Sequence, residues 1–212
     1  FTPLYSIVLS VSYFFSNNME IVHIIMKSIN ALISTSVIIP TYLLSKEFLD
    51  ENKQIFIVIL VGLLPSNFSF SYYLMAENIF YPFFLFSIYF IYKVLKEDKL
   101  TNHILAALFI SLVFYSKQSG IVLILVYLFS FLTVKYFDKK MKMKNILIGL
   151  ILVILFLTPF FVYNYINFGS GIAGLFGEAV KDNFESAFDS KKHEGYYFTS
   201  FLNFFIIHFV AL

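Results

Sequence analysis

Three ionisable side chains interrupt otherwise apolar stretches of this sequence. Lys27 lies inside HIIMKSINALIS, Glu77 opens ENIFYPFFLFSIYFIYKVLK, and Lys117 occupies the short turn YSKQSG. A charge at membrane depth is costly unless it is paired or faces water, so each is a functional candidate. Lysine is a compact point charge that suits a phosphate. A carboxylate such as Glu77 can orient a hydroxyl, help hold a metal ion or move a proton. His23 lies one turn before Lys27 on the same face, Asn30 follows it, and Tyr5 adds a phenol near the start. The chemistry this set suggests is recognition of a lipid-borne phosphate beside a hydroxyl-bearing substrate.

Each residue also has a plainer explanation. Lys27 can snorkel to the interface on its long stem. Glu77 can serve the N-terminus of its own helix, where the dipole favours an acid. Lys117 can be a solvated loop lysine. A single histidine on an apolar helix, such as His23, is more often a packing residue than a proton carrier. His103, His193 and His208 show no metal-ligand spacing.

The elements that must position these residues are membrane helices. Of the 212 residues, 59% are hydrophobic and only 13% charged, against roughly 25% charged in a soluble domain. Mean hydropathy is +0.82. The expected fold is therefore all-α, a polytopic transmembrane helical bundle. The apolar runs predict six complete spans near 21–44, 54–73, 78–95, 102–116, 120–136 and 145–165, with a truncated seventh starting near 198. Asn18 is the expected N-cap of the first, with Glu20 in its first turn. Residues 3–15 are apolar but shorter than the ~20 needed to cross, and read as an interfacial helix starting at Pro3.

The expected division is a juxtamembrane outer helix over 1–17, a six-span bundle over 18–166, an outer loop over 167–197 and the start of a seventh span over 198–212. In the outer loop, Ile172, Leu175, Phe176, Val180 and Phe184 recur at helical spacing opposite Glu178, Asp182, Glu185 and Asp189. That pattern predicts an amphipathic surface helix. The chain opens without a methionine and stops inside an apolar run, so the expectation is a fragment, inactive alone.

Lysine placement sets the orientation. Ten of the fifteen lysines fall in the turns after spans one, three and five, from Lys46 and Lys53 through Lys93, Lys96 and Lys99 to Lys135–Lys144. Those turns are expected on the cytoplasmic side. The Glu77 turn, Lys117 and 167–197 then share the outer face, with Lys27 at about the depth of the outer headgroups. A net charge of +2 does not suggest nucleic acid, and the absence of cysteine removes thiolate and disulfide chemistry. No phosphate-binding glycine loop, GxSxG elbow, HExxH or DxD-like element is present. A cytoplasmic nucleotide donor is therefore unsupported.

Five stretches, in order along the chain, resemble the multi-span GT-C glycosyltransferases of the protein mannosyltransferase and lipid A aminoarabinose transferase type, glycosyltransferase family 39-like. TPLYSIVLSV at 2–11 is similar to the family's PPLYY helix. HIIMKSINALIS at 23–34 is similar to its arginine-Leu-Leu-Ser-Ala-Leu span, with Lys27 in place of the arginine. YLMAENIFYPFFLFSIY at 73–89 resembles the stretch with an acid at the start of the third span, here Glu77. LVFYSKQSGIVLIL at 112–125 resembles the Thr-Lys-Gly-Pro turn, with Lys117 matching its lysine. PFFVYNYINFGS at 159–170 resembles the Arg-Asn-Tyr-x-x-Phe-Gly exit, with Tyr163 where arginine is usual.

The resemblance implies a membrane glycosyltransferase that takes a sugar from a polyprenyl-phosphate carrier and passes it to a lipid, glycan or protein acceptor on the non-cytoplasmic face of the plasma membrane. It matches Lys27, Glu77 and Lys117 to family positions, and the expected substrate-binding residues are these three with Asn30, His23 and Tyr5. The catalytic acid is expected upstream of Phe1, with Glu77 the candidate within the sequence. The pattern fixes no cofactor, a divalent metal is compatible with Glu77, and no metal site is named. Lys27 and Tyr163 lack the bidentate fork of the arginines they replace. The competing expectations are a lipid-linked glycan polymerase, ligase or flippase, and a non-catalytic polytopic membrane protein.

Overall fold

The computed structural model describes residues 3–64, 72–136 and 143–168, and all regular structure among them is helical. Two compact units are present, Phe1–Pro159 and Phe160–Leu212. The helices that carry Lys27, Glu77 and Lys117 belong to the first.

The chain opens with α1 (Pro3–Ser10), followed by a 3-10 turn at Val11–Phe14. Helix α2 (Met19–Thr35) starts as its sequence dictates, with the Asn18 side chain accepting from the Glu20 backbone N–H at 2.9 Å. This satisfies one of the orphan donors of the first turn. After the bend at Ser36 and Val37 the chain continues as α3 (Ile38–Ser45), and α4 covers Glu51–Gly62. Helix α5 runs Glu77–Lys96, α6 Leu100–Ser116, α7 Ile121–Tyr136 and α8 Met143–Phe168.

Among the described residues three stretches are long and apolar enough to cross a membrane: Met19–Ser45 of 27 residues, Glu77–Lys96 of 20 and Lys144–Ile166 of 23. Helices α6 and α7, of 17 and 16 residues, sit at the short end of the crossing range, since 17 residues rise about 25 Å. Large apolar side chains such as Leu32, Phe56, Phe129 and Ile154 stand mostly exposed. That exposure fits a hydrocarbon surrounding and not water. The chain is an all-helical membrane bundle. Residues 65–71 of the expected second span, the basic turn holding Lys139, Lys140 and Lys142, the amphipathic segment within 167–197 and the seventh span from 198 lie outside the described residues.

Between helices in lipid there is little hydrophobic drive, so packing and hydrogen bonds must hold the bundle. The tightest seam joins α5 to α6. Ile91 and Val94 meet Ala106, Ile110 and Val113, which are fully or almost fully buried. The small Ala106 and Ala107 allow close approach. Alongside them Phe86 and Phe90 stack on Phe109 at ring-centroid distances of 4.7 and 5.3 Å. Helix α1 does not need to cross to be anchored: Tyr5 and Leu9 bury against Ile79 of α5 and Met26, Ile29 and Ile33 of α2.

The corner after α6 is unusually close. Lys117 is extended, and a 3-10 turn at Gln118–Gly120 leads into α7. A Cβ on Gly120 would lie 2.7 Å from Val113 Cγ1, 2.8 Å from the Phe114 amide nitrogen and 2.9 Å from the Val113 carbonyl carbon. Backbone atoms cannot yield, so only glycine fits. The corner holds Lys117 against the start of α5.

Candidate functional site

The three charges singled out in the sequence come together at one end of the first unit. Lys117 Nζ donates to Glu77 Oε1 at 2.8 Å, and both side chains remain partly exposed. The ammonium also lies 5.9 Å from the Phe80 ring centroid. Lys27 is held differently. Its ammonium stands 5.0 Å from the centroid of Tyr72, which packs edge-to-face on Tyr73 at 5.4 Å. Among the described residues Lys27 forms no salt bridge. A cation held by an aromatic face keeps its charge uncancelled.

Beneath these charges lies a buried amide cluster. Asn30 is fully buried and Asn78 nearly so. The Tyr5 hydroxyl and Asn78 Nδ2 each donate to Asn30 Oδ1 at 2.9 Å. Asn30 Nδ2 donates to the Tyr73 carbonyl at 3.0 Å. Asn78 Nδ2 reaches the carbonyls of Tyr73 at 3.0 Å and Met75 at 3.2 Å. Burial pushes the Tyr5 phenol up to about 12, which keeps it a donor at any physiological pH.

The structure thus joins Tyr5, Lys27, Asn30, Glu77 and Lys117 through direct contacts and their shared neighbours. His23 stands exposed one turn before Lys27, outside this network. Tyr163 belongs to the second unit and is exposed. Asn78 was missed by sequence reasoning. Its only signal was position, directly after the acid and therefore facing away from it, into the bundle.

A second polar group lies at the lysine-rich end. His103 is fully buried, with Nε2 2.8 Å from Asp98 Oδ1 and Nδ1 2.9 Å from the Tyr127 hydroxyl. With the carboxylate accepting at Nε2, Nδ1 is left to accept from the Tyr127 hydroxyl. Asn145 Nδ2 donates to the same Asp98 oxygen at 3.0 Å, and the imidazole stacks on Phe131. Four elements are tied there: the α5–α6 turn, α6, α7 and α8. Nearby, Glu47 accepts from Lys96 at 2.6 Å and Lys93 at 3.4 Å. The Lys96 hydrogen bond, with that of Lys93, holds the Glu47 carboxyl below its usual range.

Among the described residues no group of three or more His, Cys, Asp or Glu side chains could hold a metal ion. What the Glu77 end offers is cationic and aromatic: one ammonium over a ring, a second paired to a carboxylate, and a pair of buried amides nearby. That arrangement suits an anionic headgroup beside a hydroxyl.

Residues 2–163 match the family model described as dolichyl-phosphate-mannose-protein mannosyltransferase. Tyr5, Lys27, Asn30, Glu77, Asn78 and Lys117 all fall within the matched range. No curated protein and no solved structure matches the chain.

Proposed function

From the membership of this chain in the dolichyl-phosphate-mannose-protein mannosyltransferase family, a family of GT-C membrane glycosyltransferases, we propose that it moves a sugar from a polyprenyl-phosphate carrier to a lipid, glycan or protein acceptor on the non-cytoplasmic face of the plasma membrane. The observation that carries the reading is the assembly of Lys27, Glu77 and Lys117 at one end of the bundle.

The charge change of the reaction explains why lysines belong there. An acceptor hydroxyl attacks the anomeric carbon, the bond from that carbon to the phosphate oxygen breaks, and the hydroxyl proton leaves to a base. The donor phosphodiester carries one negative charge, whereas the phosphate monoester left on the lipid carries about 1.5 to 2. Cations beside the leaving oxygen therefore stabilise the transition state and product more than the substrate. Lys27 supplies a charge that no carboxylate offsets among the described residues. Lys117 can turn from Glu77 to the phosphate as its charge grows. Glu77, once released, faces the sugar or acceptor hydroxyls.

The test is transfer from a radiolabelled polyprenyl-phosphate sugar by the full-length protein in membranes. Lys27→Ala should lower transfer by on the order of a hundredfold while leaving protein levels unchanged. Undiminished transfer in that variant removes Lys27 from the site.

A further inference from the structure

Asn30 lies in the substrate-facing stretch of α2, yet its side chain is fully buried. We infer that Asn30 and Asn78 form an internal strut that positions the charges on either side of it and touches no substrate itself. The inference rests on the donor reading above and deepens it.

The geometry sets out how the strut acts. Asn30 follows Lys27 by one turn of α2, and Asn78 follows Glu77 directly in α5. Their amides meet at 2.9 Å, which fixes the Lys27 turn of one helix to the Glu77 turn of the other. Both amides also donate to the Tyr73 carbonyl, each at 3.0 Å. That carbonyl belongs to the turn bearing Tyr72, whose ring lies under the Lys27 ammonium. One pair of asparagines therefore sets the aromatic seat of one cation and the carboxylate partner of the other. The bond from Tyr5 to Asn30 Oδ1 extends the strut to α1.

Asparagine is well suited to this place. Each amide carries two N–H donors and an acceptor oxygen, so Asn78 can donate to Asn30 while both still donate to the Tyr73 carbonyl. In a membrane interior the alternative is an unmet polar group, which makes the pairing specific for one helix register. Alanine at position 30 would remove one of the two donors to the Tyr73 carbonyl and the acceptor shared by Asn78 and Tyr5, so that the Tyr72 ring would be held less firmly beneath Lys27.

The test measures binding of tritiated farnesyl phosphate, a short polyprenyl phosphate, to the purified full-length protein. Asn30→Ala and Asn78→Ala should each weaken binding by about tenfold, the worth of one ordered hydrogen bond. With Lys27→Ala already present, Asn30→Ala should cause a clearly smaller further loss, because part of its effect runs through the Tyr72 seat of Lys27. Gln54→Ala, which removes a buried amide bonded to the Leu49 carbonyl on α4, should lower thermal stability and leave binding intact. If Asn30→Ala does not accumulate, Asn78→Ala, which leaves the Asn30 donation to the Tyr73 carbonyl in place and breaks the link between the two helices, carries the test. Wild-type affinity in the asparagine variants, losses that add to that of Lys27→Ala, or an equal loss in Gln54→Ala overturns the strut. Failure of the wild-type protein to bind farnesyl phosphate overturns the donor reading itself, and the two failures are thereby told apart.

Discussion

Lys117 and Glu77, forty residues apart in sequence, meet through a 2.8 Å hydrogen bond from ammonium to carboxylate. The pair closes the corner between α6 and α7 onto the first turn of α5. Both side chains stay partly exposed, so the bond contributes little to stability, about 0–1 kcal/mol. Its consequence is functional: an incoming phosphate must compete with Glu77 for Lys117.

That competition gives the first prediction. Glu77→Gln keeps an acceptor for Lys117 and removes the negative charge. Farnesyl phosphate should bind a few-fold more tightly, since less charge opposes it, while sugar transfer falls by tenfold or more because the carboxylate facing the hydroxyls is gone. Equilibrium binding and single-turnover transfer on the same preparation measure the two effects. If both fall together, Glu77 holds the structure and does not compete with the donor.

Much of this end was legible in the sequence. Lys27, Glu77 and Lys117 stood out because each interrupts an apolar run, and charge in such a place has few uses. Asn18 and Glu20 announced the start of α2, and the cap is formed. Asn30 was legible as polar but not as buried, because a helix sequence does not show which neighbour faces it. The Asp98–His103–Tyr127 group was not legible at all. Asp98 and His103 are five residues apart across a helix start, so no helical face joins them, and Tyr127 arrives from another helix. Only tertiary packing brings them within hydrogen-bond reach.

A second prediction concerns acid. Glu47 is held ionised chiefly by the Lys96 hydrogen bond, with Lys93 adding to it. A carboxyl whose folded value lies below its unfolded one stabilises the protein above the unfolded value, near 4.5. That stability is lost as pH falls through the folded value. Glu47→Gln should therefore lower the melting temperature at neutral pH, and the gap to wild type should narrow on acidification below about pH 4.5. Thermal melts across pH 3–8 in detergent follow the gap. A gap unchanged to pH 3 would show that the carboxylate charge is not what binds the α3–α4 turn to the end of α5.

The last prediction tests the buried knot at the lysine-rich end through its glycine. Gly149 of α8 faces the Tyr127 hydroxyl so closely that an added Cβ would collide with it and would also sit 3.2 Å from the ring Cζ and 3.4 Å from His103 Nδ1. Gly149→Ala must push the phenol off its place, breaking the hydrogen bond that gives Nδ1 its donor. The cost should be about 1–3 kcal/mol from overpacking, with a further ~1 kcal/mol for the lost bond. Tyr127→Phe alone should cost about 1 kcal/mol, since it removes the hydroxyl without adding volume. Combining the two should recover part of the loss, because the colliding atom is gone while the Cζ contact remains tight. Melting temperatures of the four proteins form the double-mutant cycle that reads this coupling. Purely additive losses would mean that α8 does not press on Tyr127, whereas recovery ties α7, α8 and His103 into one packed unit. Farnesyl phosphate binding should stay at the wild-type level in Tyr127→Phe, because the Tyr127 hydroxyl is bonded to His103 at the lysine-rich end.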